Sequence, residues 1–123
     1  MPAFVEEPEV IEMQFTLLLW GDADQESALP PEERRAIVEQ HIAFSRELRE
    51  AGAHVFGAPL GHASRGRLLR GGLVTDGPLA ETKEQLGGLY VIECAGEDEA
   101  LDWARKLPRS PGLVVEVRAN PDV

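Results

Sequence analysis

The 123-residue chain has a single cysteine, Cys94, and only two lysines, Lys83 and Lys106. No apolar run approaches the ~20 residues that a bilayer-spanning helix needs. One thiol excludes an internal disulfide and any zinc site built on several cysteines. Cys94 lies in an apolar strand pattern, where a small buried thiol is the simplest reading. The N-terminus shows no basic region followed by an apolar block, so a cytoplasmic chain is expected. There is no Gly-x-Ser-x-Gly, no phosphate-binding loop and no dinucleotide fingerprint, and no cofactor is called for. His54 and His62 are eight residues apart without an acidic or cysteine ligand at suitable spacing, so a zinc site is not expected.

What is present is acid. The net charge is -10 and the pI about 4.7, a field that repels phosphate backbones and anionic membrane surfaces. Apolar content of 43% with charged content of 28% is ordinary for one globular domain of this length. Residues 1–12, rich in proline and glutamate, read as an N-terminal extension of weak structure, with the folded domain over 13–119 and a short tail over 120–123.

Within that domain, Gln14 to Trp20 alternates as a strand with apolar residues on both faces: Phe15, Leu17 and Leu19 on one, Leu18 and Trp20 on the other. A turn-rich connection leads to Pro30-Pro31-Glu32-Glu33, a helix start, and the helix runs to about Ala51 with Gly52 as its stop. Ile37, His41, Phe44 and Leu48 form its apolar stripe, so His41 is the ionisable residue on the core-facing side. A short strand ends at Pro59, and Gly71-Gly72 between two β-like runs predicts a two-residue hairpin. Gly88 to Cys94 is the next strand. Glu97-Asp98-Glu99 opens a second helix with the stripe Ala100, Trp103, Ala104 and Leu107, and Leu113 to Arg118 is the last strand. The order predicts an α+β, ferredoxin-like βαββαβ domain with an inserted β-hairpin in an antiparallel sheet. Helices on one face would leave the other bare, yet the strands are apolar on both sides, which predicts a homodimer through the sheet faces.

Two residues stand out chemically. His41 is either a core histidine with a buried partner or a general base, and Asp76 is either a turn former or the carboxylate that orients it. Sequence alone does not show that they meet. Trp20, Arg65 and Lys83 are candidates for substrate binding. Arg65 belongs with Arg67 and Arg70 to a basic cluster that reads as a solvated hairpin face or an anion clamp, and Lys83 sits in a polar turn.

The stretch Val74 to Glu93, "VTDGPLAETKEQLGGLYVIE", closely resembles the signature of the DGPF subgroup of YciI-related (YCII) proteins, with Leu79 in place of the usual phenylalanine. Met13 to Asp22, Glu99 to Pro108 and Val114 to Arg118 are similar to the family's first strand, second helix and last strand. The resemblance implies a ferredoxin-like fold that pairs through its sheets as a dimeric α/β barrel. It also implies a histidine on the first helix, eleven residues before its terminal glycine, paired with an aspartate in a small-molecule pocket. His41 and Gly52 have that spacing, and Asp76 is the aspartate of the signature. The expected function is a cofactor-free lyase or isomerase acting on a small cyclic substrate. The alternative is a non-catalytic ligand-binding or regulatory accessory protein linked to sigma-factor regulation.

Overall fold

The computed structural model describes residues 12–122, so all but the last residue of the expected N-terminal extension, and the end of the tail, lie outside the described residues. The chain runs β1 (Met13–Asp22), α1 (Ala23–Ser27), α2 (Pro31–Glu50), β2 (His54–Pro59), a single 3-10 turn (Ala63–Arg65), β3 (Arg67–Arg70), β4 (Leu73–Asp76), β5 (Glu84–Cys94), α3 (Glu97–Arg105) and β6 (Val114–Ala119). Four strands make one antiparallel sheet in the order β2-β5-β1-β6, an arrangement compatible with a ferredoxin-like plan. Among the described residues strands β3 and β4 pair only with each other, turning through Gly71 and Gly72, both at positive φ as a tight two-residue hairpin turn requires.

The core lies between the sheet and its two long helices. Phe15 and Leu17 of β1 and Tyr90, Ile92 and Cys94 of β5 alternate inward, and Phe44, Leu48, Ala100 and Leu107 meet them from above. Leu17, Leu48 and Ile92 are fully buried, and each buried aliphatic side chain of this kind contributes about 1.5–3 kcal/mol. Burial pushes the Cys94 thiol up, as suits a thiol in apolar packing.

Helix α2 ends sharply because Gly52 and Ala53 donate back to Arg49 O and Leu48 O at 3.0 and 2.8 Å, satisfying carbonyls that the last turn leaves free. Ala53 is thereby pinned into the same core as Leu48. At the start of α3, the Glu99 carboxylate accepts from the Ala95 N–H at 2.9 Å, which ties the incoming chain to the first turn.

The structure departs from the sequence pattern in three places. The connection after β1 contains the short helix α1, which forms because the Asp22 carboxylate accepts from Gln25 N at 3.0 Å and caps it. Strand β5 begins at Glu84 rather than at Gly88. It continues through the Gly-Gly pair because the register with β1 shifts from Leu19↔Gly88 to Trp20↔Leu86, and Gly87 is absorbed as a bulge. Finally, the apolar stripe of α2 is buried only in its second half. Phe44 and Leu48 are inside, whereas Ile37 and His41 are half-buried. The first half of the helix therefore stands off the sheet, over a cleft.

Among the described residues no helix covers the other sheet face. Leu18 lies opposite Leu89 and Thr16 opposite Val91, with Phe56 next to Val91 on the edge strand. Phe56 and Val114 are 55% and 50% exposed.

Truncating the residue that locks α2 to the sheet tests this packing. Leu48→Ala is expected to lower stability by about 2–5 kcal/mol, the cost of lost burial plus an unfilled cavity, read as a lower urea midpoint at unchanged slope.

Candidate active-site cleft

Two glycines, Gly57 and Gly88, lie in the floor of a cleft beneath α2. On the helix-facing side, β5 presents Gly88, Tyr90 and Ile92 in alternation, and β2 presents Gly57 opposite Tyr90. A Cβ at Gly57 would stand 2.8 Å from Tyr90 Cδ1, so the phenol ring lies directly on this bare backbone. A Cβ at Gly88 would approach Ala58 O to 3.1 Å. Above the two glycines opens a cavity of about 730 Å³, within the range of small-molecule sites. Its walls are largely apolar, with Leu19 and Leu113 from the sheet side and Ile37, Val38 and Ile42 from α2.

His41 opens onto this cavity. Its Nδ1 lies 2.7 Å from the Tyr90 hydroxyl, and the two rings stack with centroids 5.9 Å apart and planes inclined by 15°. Tyr90 is itself anchored, with Phe44 packed edge-on at a centroid distance of 5.0 Å. Burial pulls the His41 pKa below its ordinary value, so the ring is neutral at pH 7. Burial pushes the Tyr90 hydroxyl up, against a weaker downward pull from Ser45, the next polar residue along α2. The other imidazole nitrogen, Nε2, has no hydrogen-bond partner among the described residues, where every buried side-chain nitrogen or oxygen is satisfied. Nε2 is therefore the accessible end of the ring. A neutral imidazole, held at one nitrogen and free at the other, can take up or deliver a proton.

The residues singled out in the sequence fall in different places. The His41–Asp76 dyad is not formed within the chain. Asp76 ends β4 on the hairpin, its carboxylate 3.3 Å from Arg67 Nη1 and its side chain 83% exposed, because the register of the hairpin sets Arg67 directly across from it. Trp20 is among the cleft residues, and its indole N–H donates to Glu116 Oε1 at 3.1 Å. Arg65, in the 3-10 turn, and Lys83, ahead of β5, are exposed and outside the cleft lining. Tyr90, the partner that His41 does have, reads in the sequence only as part of a strand. Its alternation with Ile92 and Cys94 marks the inward face, where a phenol needs a polar partner, and that is the signal that could have found it.

His62, expected to be no metal ligand, bridges Ser64 Oγ at 2.8 Å and Asp24 Oδ1 at 3.0 Å, fastening the 3-10 turn to α1. Among the described residues no three His, Cys, Asp or Glu side chains gather in a metal-binding group. No helix among them is long and apolar enough to cross a membrane.

Fold and cleft together define a small α+β protein in which a neutral histidine–tyrosine pair faces a ligand-sized apolar cavity. The chain belongs to the YCII-related family: the family's domain model matches residues 13–120. It is also 40% identical over 99 residues to the uncharacterised protein R00369 of Rhizobium meliloti strain 1021, a match covering 77% of this chain and 80% of the relative.

The environment of His41 has a pH consequence. Its folded pKa is lowered, so the unfolded chain takes up the proton first as pH falls below 6.5. Stability contributed by the neutral ring is complete above 6.5 and is lost as pH falls from there through the lower folded pKa. His54, lowered by burial and by the nearby Arg49 charge, acts in the same direction. Imidazole NMR titration should place both His41 and His54 below 6.5, and His41→Leu should flatten part of the stability slope in that window. A His41 midpoint at or above 6.5 would contradict this account.

Proposed function

We propose that the protein is a cofactor-free proton-transfer enzyme, a lyase or isomerase, acting on a small cyclic substrate in the cleft under α2. The observation that carries this reading is the His41 ring, bonded at Nδ1 to Tyr90 and open at Nε2 to a cavity of ligand size. In the tautomer with Nδ1–H donating to the phenol oxygen, Nε2 is the base. It takes a proton from an activated carbon, leaving an enolate, and the resulting imidazolium keeps its Nδ1–H bond to Tyr90. The same Nε2–H then returns the proton to a different atom of the substrate (isomerisation) or to a departing group (elimination). One positioned imidazole supplies typically ~10²–10⁴-fold, which suits carbon acids that are already activated. Tyr90 takes the orienting role that the sequence suggested for Asp76. The Asp76-Gly77-Pro78 run supports a place in the DGPF subgroup without supplying the acid–base partner.

Deuterium uptake from D₂O into a panel of cyclic ketones, lactones and phenols tests the reaction. His41→Ala should lose about 10²–10⁴-fold of any exchange found. Tyr90→Phe should lose less, about 2- to 10-fold, the worth of one hydrogen bond. A folded His41→Ala variant that keeps full exchange would end the acid–base reading.

We further propose a homodimer through the bare sheet face. Leu18, Leu89, Val91 and Phe56 supply an apolar surface there, and the hairpin separately exposes the cross-strand pair Leu69 and Val74, at 71% and 57%. Two strands alone are at best marginally stable in water, so a hairpin this apolar needs cover. Sedimentation at micromolar concentration should give a dimer, and Leu18→Glu with Leu89→Glu should give a monomer. A wild-type monomer would remove the dimer. It would leave the apolar face and hairpin free for another protein, which is the regulatory accessory reading.

A further inference from the structure

A second hydrogen-bonded relay lies on the 3-10 turn, and neither His62 nor Ser64 of that relay lines the cleft. His62 Nδ1 is 2.8 Å from Ser64 Oγ, and its Nε2 is 3.0 Å from Asp24 Oδ1 on α1. The Ser64 backbone N–H also donates to Nδ1, at 3.2 Å. That third bond fixes the tautomer. A backbone N–H can only donate, so Nδ1 carries a lone pair and the ring proton sits on Nε2, facing the Asp24 carboxylate. The Ser64 hydroxyl is then a donor to Nδ1. Ser64 is exposed and His62 half-buried, so the oxygen is open to solvent while its base is held.

Capping the turn accounts for only one of these contacts, the bond from the Ser64 N–H. A hydroxyl on the same nitrogen and a carboxylate on the other make the order of a nucleophile, its base and the group that orients the base. The two ring nitrogens are exchanged relative to the Ser-His-Asp hydrolases, but the roles follow from geometry. The turn is also braced. Gly77 N–H donates to Gly66 O at 2.7 Å, and a Cβ at Gly77 would stand 3.0 Å from that oxygen and 3.4 Å from Ala63 O. The Asp76-Gly77-Pro78 run therefore packs against the turn that carries Ser64.

We propose that Ser64 is an acyl-accepting nucleophile toward small activated esters, at a site separate from the cleft. Ser64 Oγ bonds to the ester carbonyl carbon and its proton passes to His62 Nδ1, while Asp24 stabilises the imidazolium through Nε2–H. Breaking the bond to the alkoxy or aryloxy group releases it as the alcohol, with the Nδ1 proton. Water then attacks the acyl carbon and gives a proton to Nδ1. Ser64 Oγ leaves with that proton, and the acyl group departs as the carboxylic acid. Once Nδ1 is protonated it no longer accepts from the Ser64 N–H, which is released to donate to the oxyanion. One such donor suits esters with good leaving groups and not amides.

Diisopropyl fluorophosphate and 4-nitrophenyl acetate test the site in the full chain. Peptide mapping by mass spectrometry should find the phosphoryl adduct on Ser64, with fluoride lost, and not on Ser27, Ser45 or Ser110, the other serines. Release of 4-nitrophenol should exceed the buffer rate, and Ser64→Ala should abolish the excess. His62→Ala should slow labelling by about 10²-fold or more, the worth of a general base. Because His62 also fastens the turn, Asp24→Asn is the second variant: its amide oxygen still accepts from Nε2–H, and only the charge is lost. It should slow labelling roughly several-fold, as a charge-assisted bond becomes a neutral one, with amide NMR shifts unchanged away from α1 and the turn. The proposal is overturned if Ser64 is not labelled, if another serine labels as readily, or if either folded variant labels at the wild-type rate. His41→Ala should leave Ser64 labelling unchanged, so the failure of this site and the failure of the cleft reading are read separately.

Discussion

The 2.7 Å contact between the Tyr90 hydroxyl and His41 Nδ1 is the point on which the rest of the cleft depends. Tyr90 belongs to the core through its ring and to the cleft through its oxygen. The ring is wedged between Phe44 and the backbone at Gly57, so it cannot swing without disturbing the packing that holds α2 to the sheet. The hydroxyl, fixed in this way, gives the imidazole a single bonded nitrogen and a defined orientation. A histidine on a helix standing off its sheet would otherwise be free to rotate. The same burial that holds the pair together keeps both members neutral near pH 7, histidine lowered and tyrosine raised. The stabilising core and the imidazole with its unpartnered Nε2 are thus mechanically one unit.

The cavity follows from how α2 is built. Its second half is locked by Phe44, Leu48 and the bonds at Gly52. Its first half is less buried, with Ile37 and His41 only half-buried where Phe44 and Leu48 are inside. A helix can stand over a cleft because its backbone hydrogen bonds are internal, so the cavity costs contacts but no unsatisfied backbone.

Much of this architecture was legible in the sequence. Periodicity gave the helix from Pro31 to about Ala51, the strand over Gly88 to Cys94, and the turn at Gly71-Gly72, because burial and turn chemistry impose local patterns. The position of His41 on the inner stripe was legible for the same reason. Its partner was not. Which residue meets an imidazole 49 positions away depends on strand register, and the register here is offset by a bulge at Gly87 that no local pattern marks. Helix α1 was hidden for a different reason: five residues with a single aspartate cap look like any polar turn.

The stretch from Val74 to Glu93 illustrates how a family signature and a reactive group need not coincide. Its aspartate is the residue that invites a chemical role, yet Asp76 spends its charge on Arg67 across an exposed hairpin. A pair so exposed contributes at most about 1 kcal/mol. The residues of the stretch that shape the cleft are the ones with no chemistry of their own. Gly87 is absorbed as a bulge where the register with β1 shifts, and Gly88 lets the β2 backbone at Ala58 come close, where a Cβ would stand 3.1 Å from its carbonyl oxygen. A one-residue slip reverses which residues face the helix. Without the bulge, the strand that brings Tyr90 to His41 could not also keep Leu86 paired with Trp20. The run is therefore best understood as a device that sets the phase of one strand. The His41–Tyr90 contact joins a tyrosine near the end of the stretch to a histidine outside it.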